Sequence, residues 1–145
     1  MSKPKLFSLI KPTVETPFHI DFSWWQEHDQ AWRVHLQSCL CPEHQEMYAD
    51  FGDEQEIDWI DPETAEVQKV DGLQHILITH CSKEEYFITK QSSLTEAIFR
   101  MFLANGNQPM TSNELADNLN KSPNIILRTI SGSRVYKGIR PVPLT

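Results

Sequence analysis

The sequence predicts an α+β fold that is mainly helical, and three observations carry that expectation. Ser23–Gln26, Ser93–Glu96 and Thr111–Glu114 each have the capping-box form at the head of an apolar run with helical spacing. Two short β-prone runs, Ile57–Ile60 and Val67–Val70, flank an Asp61-Pro62 turn and read as a hairpin. Cys39, Cys41, His44, His80 and Cys81 gather at two predicted helix ends on either side of that hairpin. The expected organisation is an N-terminal helix with an acidic hairpin over residues 1–90, then a helical unit over residues 91–145.

A chain of 145 residues can hold one ordinary domain, or two small ones sharing a core. With 39% hydrophobic and 23% charged residues it has a globular composition. Mean hydropathy is -0.44. No apolar run approaches the roughly 20 residues that span a bilayer, so no membrane partner is expected. Near the N-terminus the apolar stretch is only Leu6 to Ile10, too short for a secretory signal, and the cytoplasm is the expected location. Three cysteines, an odd number, argue against a disulfide framework and leave the thiols for burial or metal.

Along the chain, Pro4, Pro12 and Pro17 disfavour helix and predict an extended arm whose Phe7, Ile10, Phe18 and Ile20 could lie across a neighbouring surface. The Ser23 box predicts a helix from about Trp24 to Leu40. Trp25, Ala31, Trp32, Leu36 and Cys39 form its apolar face, with Val34 and Leu40 at the margin. Tryptophans in such a stripe serve as core. The hairpin follows, and its Asp58, Asp61 and Glu63 need no catalytic role, because turn chemistry accounts for Asp-Pro. Asp71 is placed to cap a helix from about Leu73 to Cys81 with Leu73, Ile76 and Leu77 inward.

Zinc takes four Cys or His ligands, commonly two from each of two short segments. Cys41-Pro42-Glu43-His44 supplies one such pair, and His80-Cys81 supplies the other. Neighbouring residues in a regular helix point about 100° apart, so His80 and Cys81 can both ligate only where the helix unwinds. Cys39 is the alternative to His80. Four filled positions predict a structural zinc site that ties the N-terminal helix to the segment after the hairpin. His19, His28, His35 and His75 are expected at the core edge or the surface.

The C-terminal part predicts a helix after Ser93 carrying Leu94, Ala97, Ile98, Met101 and Phe102, stopped at Asn105-Gly106. A short helix with Leu115, Ala116 and Leu119 follows Thr111. Ser122-Pro123 opens another, with Ile126, Leu127 and Ile130 inward and Asn124, Arg128 and Ser131 on the outer face. Arg134 to Arg140 reads as a strand-like tail broken by glycine and sealed by Pro141 and Pro143.

Helix, short helix, three-residue turn, helix and basic β segment over residues 92–145 resembles the winged helix-turn-helix superfamily. The fold expectation is therefore a zinc-stabilised helical and β-hairpin region followed by a C-terminal winged helix-turn-helix. That resemblance implies a recognition helix over about Pro123 to Ser131 entering the major groove of double-stranded DNA. It makes Asn124 and Arg128 the base-edge candidates. Lys121, Arg134, Lys137 and Arg140 become phosphate contacts, with Ser122 a helper at the helix N-terminus. The whole chain also resembles small uncharacterised bacterial proteins sharing FHIDF-x-WW, LCPEH, DWIDPET, THC and RVYKGIRP, a likeness that implies no activity.

Charge divides the molecule. The net charge is -7, yet from Lys121 to Thr145 there are five basic residues and no acidic one. Between Glu43 and Asp71 there are eleven acidic residues and one basic residue, Lys69. A local positive field can draw a polyanion to an acidic protein. The expected function is non-enzymatic DNA binding, transcription-related, possible as a homodimer. The alternative is a protein-interaction adaptor that uses the winged helix and the acidic hairpin as docking surfaces in a larger assembly. The sequence contains no phosphate-cradling glycine loop, no G-x-S-x-G turn and no H-E-x-x-H helix, so no enzymatic role is expected.

Overall fold

The structure, a computed structural model, describes residues 11–51, 56–60 and 63–143, with the backbone alone at 48–51, 56–59 and 68–70. It is mainly helical, with two small antiparallel sheets. In chain order the elements are β1 (Phe18–Ile20), α1 (Phe22–His28), α2 (Trp32–Ser38), α3 (Pro42–Phe51), β2 (Glu56–Ile60) and β3 (Val67–Asp71). They continue with α4 (Gly72–Thr79), a single 3-10 turn (Cys81–Lys83), α5 (Leu94–Ala104), α6 (Ser112–Leu119), α7 (Pro123–Ile130) and β4 (Ile139–Pro141). No helix among the described residues is long and apolar enough to cross a membrane.

The tryptophan segment forms two helices rather than the one expected from Trp24 to Leu40. Its cap is Asp21, whose carboxylate accepts from the Trp24 backbone N–H at 3.0 Å, and not Ser23. Asp29 makes the break. One of its oxygens accepts from the Ala31 N–H at 2.9 Å and the other from the Trp25 indole at 3.0 Å. A side chain that serves the backbone in this way competes with helix continuation. Those two hydrogen bonds also hold the Asp29 carboxyl below its ordinary range. Trp25 is buried as expected, whereas Val34 is 67% exposed.

The expected hairpin is present as β2 and β3, in register from Glu56 opposite Asp71 to Ile60 opposite Val67. Its Asp61-Pro62 turn, and the side chain of Asp58, lie outside the described residues, as do Phe7 and Ile10 of the arm. Phe18 and Ile20 do bury, as part of β1.

The basic tail differs from the expected strand. Only Ile139–Pro141 is extended, and it pairs with the N-terminal β1 rather than with a strand of its own. On the other edge of β1, Phe18 bridges Met110. The Asn107 amide continues that edge as a backbone mimic: its Oδ1 accepts from the Ile20 N–H at 2.8 Å and its Nδ2 donates to the Ile20 carbonyl at 2.9 Å. Gly138 makes the approach of the tail possible. Its φ is +79°, and a Cβ there would sit 2.9 Å from the Trp25 Cβ and 3.0 Å from the Asp21 carbonyl oxygen.

Helices α5, α6 and α7 pack on one another, with a three-residue turn, Asn120–Ser122, between α6 and α7. Thr111 and Glu114 form the full capping box. Asn120 takes the left-handed conformation that ends α6, and Pro123 opens α7. One core joins Phe18, Trp25 and Leu36 to Leu73, Phe99, Phe102 and Ile126, so both expected parts of the chain share it.

Candidate functional site: a cysteine–histidine cluster and the outer face of α7

Cys41 lies immediately before α3, with Pro42 at the first helical position and the Gln45 N–H bonded to the Cys41 carbonyl at 2.9 Å. His44 follows at the position whose side chain meets the cap residue in a capping box. That local geometry explains the C-x2-H spacing: the Cys41 Sγ and the His44 Nδ1 are 3.0 Å apart. The second segment arrives from α4. Its helix ends at Thr79, His80 departs from helical backbone (φ -126°, ψ -63°), and the 3-10 turn begins at Cys81. The unwinding that adjacent ligands require is therefore present.

Cys81 Sγ comes 3.5 Å from Cys41 Sγ and 3.6 Å from His44 Nδ1. All three side chains are buried. This group is compact enough to hold a metal ion. His80 stands at its rim, with its ring centroid 4.5 Å from that of His44 and 45% of its side chain exposed. His80 forms a second such group with Cys41 and Glu84, and a third with Glu43 and His44. Burial raises the Cys81 thiol above its ordinary range, and the Cys41 thiol beside it adds to the rise. A bound cation would reverse that preference by stabilising thiolate.

Cys39 does not reach this cluster. It joins His35 and Glu96 in a separate group, with its Sγ 3.6 Å from a Glu96 oxygen. Here the carboxylate already has partners. Arg100 Nε donates to Glu96 at 2.9 Å, the Tyr136 hydroxyl at 3.3 Å, and His35 Nε2 lies 3.4 Å away. Burial pushes the Cys39 thiol up to about 11, which leaves it protonated and unreactive at neutral pH. The sequence reading did not connect Glu96 with Cys39, because 57 residues separate them. Glu84 was also missed, although its place one helical turn beyond His80 was a usable signal.

On α7, Asn124 and Arg128 are exposed on one face, opposite the buried Ile126 and Ile130. Lys121 and Ser122 precede them in the turn and Arg134 follows, all exposed. The Ser122 hydroxyl makes no capping bond to its own helix. The other two basic candidates are engaged elsewhere. Arg140 pairs with Asp21 at 3.0 Å and lies over the Trp24 ring, and Lys137 is half-buried with its ammonium over Tyr136. Arg140 joins the tail to α1.

Comparison of the chain with protein-family models, with curated proteins and with solved structures gives no match.

Proposed function

We propose that this protein binds double-stranded DNA without catalysis, through the outer face of α7 in a helix-turn-helix built from α6 and α7. The observation that carries this reading is the solvent-facing pair Asn124 and Arg128, one turn apart and flanked by Lys121 and Arg134. Asparagine and arginine can each make two hydrogen bonds to a base edge in the major groove, to adenine and guanine respectively. Lys121 and Arg134 would take phosphates on either side, and the Ser122 hydroxyl, which makes no capping bond to its own helix, would add a phosphate contact at the helix N-terminus. As a homodimer, the protein would place two such helices about 34 Å apart, on successive turns of the duplex. A winged helix is the fold reading that accompanies this proposal, with the tail from Arg134 as a wing anchored to β1. The role is transcription-related.

In the same reading the metal of the cysteine–histidine cluster is zinc, held by Cys41, His44, Cys81 and His80. With Zn–S near 2.3 Å and Zn–N near 2.0 Å, a tetrahedron separates two sulfurs by about 3.8 Å and a sulfur from a nitrogen by about 3.5 Å. The Cys81 separations of 3.5 Å to Cys41 and 3.6 Å to His44 approach these edges, and the 3.0 Å between Cys41 and His44 would lengthen by about 0.5 Å around an ion. Zinc there would be a brace between α3 and the end of α4.

One observation favours a second reading, a protein-docking adaptor. Ile125 is 43% exposed on α7, beside Asn124, on a protein of net charge -7. An electrophoretic shift with mixed-sequence duplex at low salt separates the two. The DNA reading expects a shifted band, and Arg128→Ala with Arg134→Ala should weaken it by about 1–3 kcal/mol or more. Absence of any shift, or a shift indifferent to those substitutions, would transfer the α7 face to a protein partner.

A further inference from the structure

We propose that the zinc centre is sealed on three sides and gated on the fourth: His80, steered by Glu84, closes the coordination sphere at the surface, where an outside imidazole-type nitrogen donor can take its place. The inference rests on the zinc reading above and adds to it a positioning residue and a ligand-exchange position.

The four donors differ sharply in their surroundings. Cys41, His44 and Cys81 are buried, and the backbone fixes each of them: a helix start for Cys41 and His44, a 3-10 turn for Cys81. The His80 backbone is also held, its N–H bonded to the Ile76 carbonyl at 2.9 Å and its carbonyl accepting from the Lys83 N–H at 3.0 Å, but its side chain is not enclosed. The residue sits where α4 gives way to the 3-10 turn, and its side chain is 45% exposed. A side chain in that position can swing outward without opening the core. Cys41 and Cys81 belong to the same buried core cluster as Leu73 and Leu77, so they cannot leave without disturbing its packing.

Glu84 supplies the steering. Its Oε1 lies 3.6 Å from His80 Nε2, and the carboxylate is itself 52% exposed. A metal-bound histidine commonly presents its second ring nitrogen to a carboxylate, which fixes the tautomer and raises the basicity of the ligand. Glu84 is placed for that role toward His80. It acts on the metal through the imidazole and is a positioning residue. His80 and Glu84 flank the buried Cys81 and Ser82, so the fourth ligand leaves by rotation of its exposed side chain, with Glu84 following at the surface, while the backbone that holds Cys81 stays in place. Once they move, a three-coordinate ion with two thiolates faces solvent and accepts a nitrogen donor of imidazole size.

Cobalt(II) substitution into the full chain tests this, because thiolate-to-cobalt absorption counts sulfurs and the d–d bands report the fourth ligand. The parent protein should bind one cobalt with two thiolates in a tetrahedral field. His80→Ala should keep one cobalt and both thiolates, lose d–d intensity and bind about 100-fold more weakly. Added imidazole should restore the d–d bands. Glu84→Gln should weaken the metal about tenfold with the tetrahedral spectrum intact, within the range for lost outer-shell support. If His80→Ala changes neither spectrum nor affinity, or imidazole restores nothing, the gate is refuted while zinc stands. If Glu84→Gln matches the parent, Glu84 has no steering role. If the parent binds no stoichiometric metal, the zinc reading itself falls.

Discussion

Six basic side chains fall into two sets that the fold treats in opposite ways. Arg33, Arg100 and Arg140 are each held by a carboxylate, Asp71, Glu96 and Asp21 respectively, and each pair joins distant parts of the chain or steadies a helix. Lys121, Arg128 and Arg134 are exposed, and no carboxylate among the described residues meets them. Positive charge is thus matched at Arg33, Arg100 and Arg140 and unmatched at the three positions around α7. The contrast separates charge that stabilises from charge that is available to a partner. The acidic total of -7 would have hidden it.

Breaking the matched set should have the largest effect on stability. Glu96→Ala removes one carboxylate from Arg100, Tyr136 and His35 together, and should cost about 2–3 kcal/mol in chemical denaturation, because it leaves partly buried donors unpaired. The same site predicts an acid limit. Burial by itself would raise the Glu96 carboxyl, but His35 and Arg100 outweigh it and hold it at about 2, against an ordinary 4.5. A depressed carboxylate contributes stability that is complete above its unfolded value and is lost as pH falls through the folded one. Unfolding midpoints should therefore decline between about pH 4.5 and 2 in the parent, and more weakly in Glu96→Gln. A similar decline in both would assign the acid sensitivity elsewhere.

Asn107→Ala comes next, at about 1–2 kcal/mol, since it leaves the Ile20 N–H and C=O without partners at the edge of β1. Cys39→Ser should be milder, under about 1 kcal/mol, and should leave metal content unchanged, in contrast to Cys81→Ser. At the far end of the series, Arg128→Ala should change stability by less than about 0.5 kcal/mol while weakening duplex binding. A large loss of stability on removing Arg128 would erase the distinction between the two sets.

Much of the helical order was legible in local chemistry. The Thr111–Glu114 box, Pro123 at a helix start and the Asp71 cap each act within four residues, and each is realised. The cysteine–histidine cluster was legible for a related reason: Cys41 and His44 share a helix start, and His80 and Cys81 share a helix end. What escaped was non-local or competitive. Asp29 ends a helix that apolar periodicity alone would extend to Leu40, because its carboxylate finds the Ala31 N–H and the Trp25 indole. The partner of the basic tail escaped because it lies at the other end of the chain, with Arg140 opposite His19 of β1 and its guanidinium on Asp21, 119 residues away. Glu96 looked like a capping residue, yet its side chain turns instead to Arg100, His35 and Tyr136.

The salt dependence of duplex binding tests the central claim most directly. Two phosphates neutralised by Lys121 and Arg134 should give a slope of log K against log salt of about -2, and Lys121→Ala with Arg134→Ala should flatten it nearly to zero. A slope that the double substitution leaves unchanged, or no binding at the lowest salt, would contradict the account.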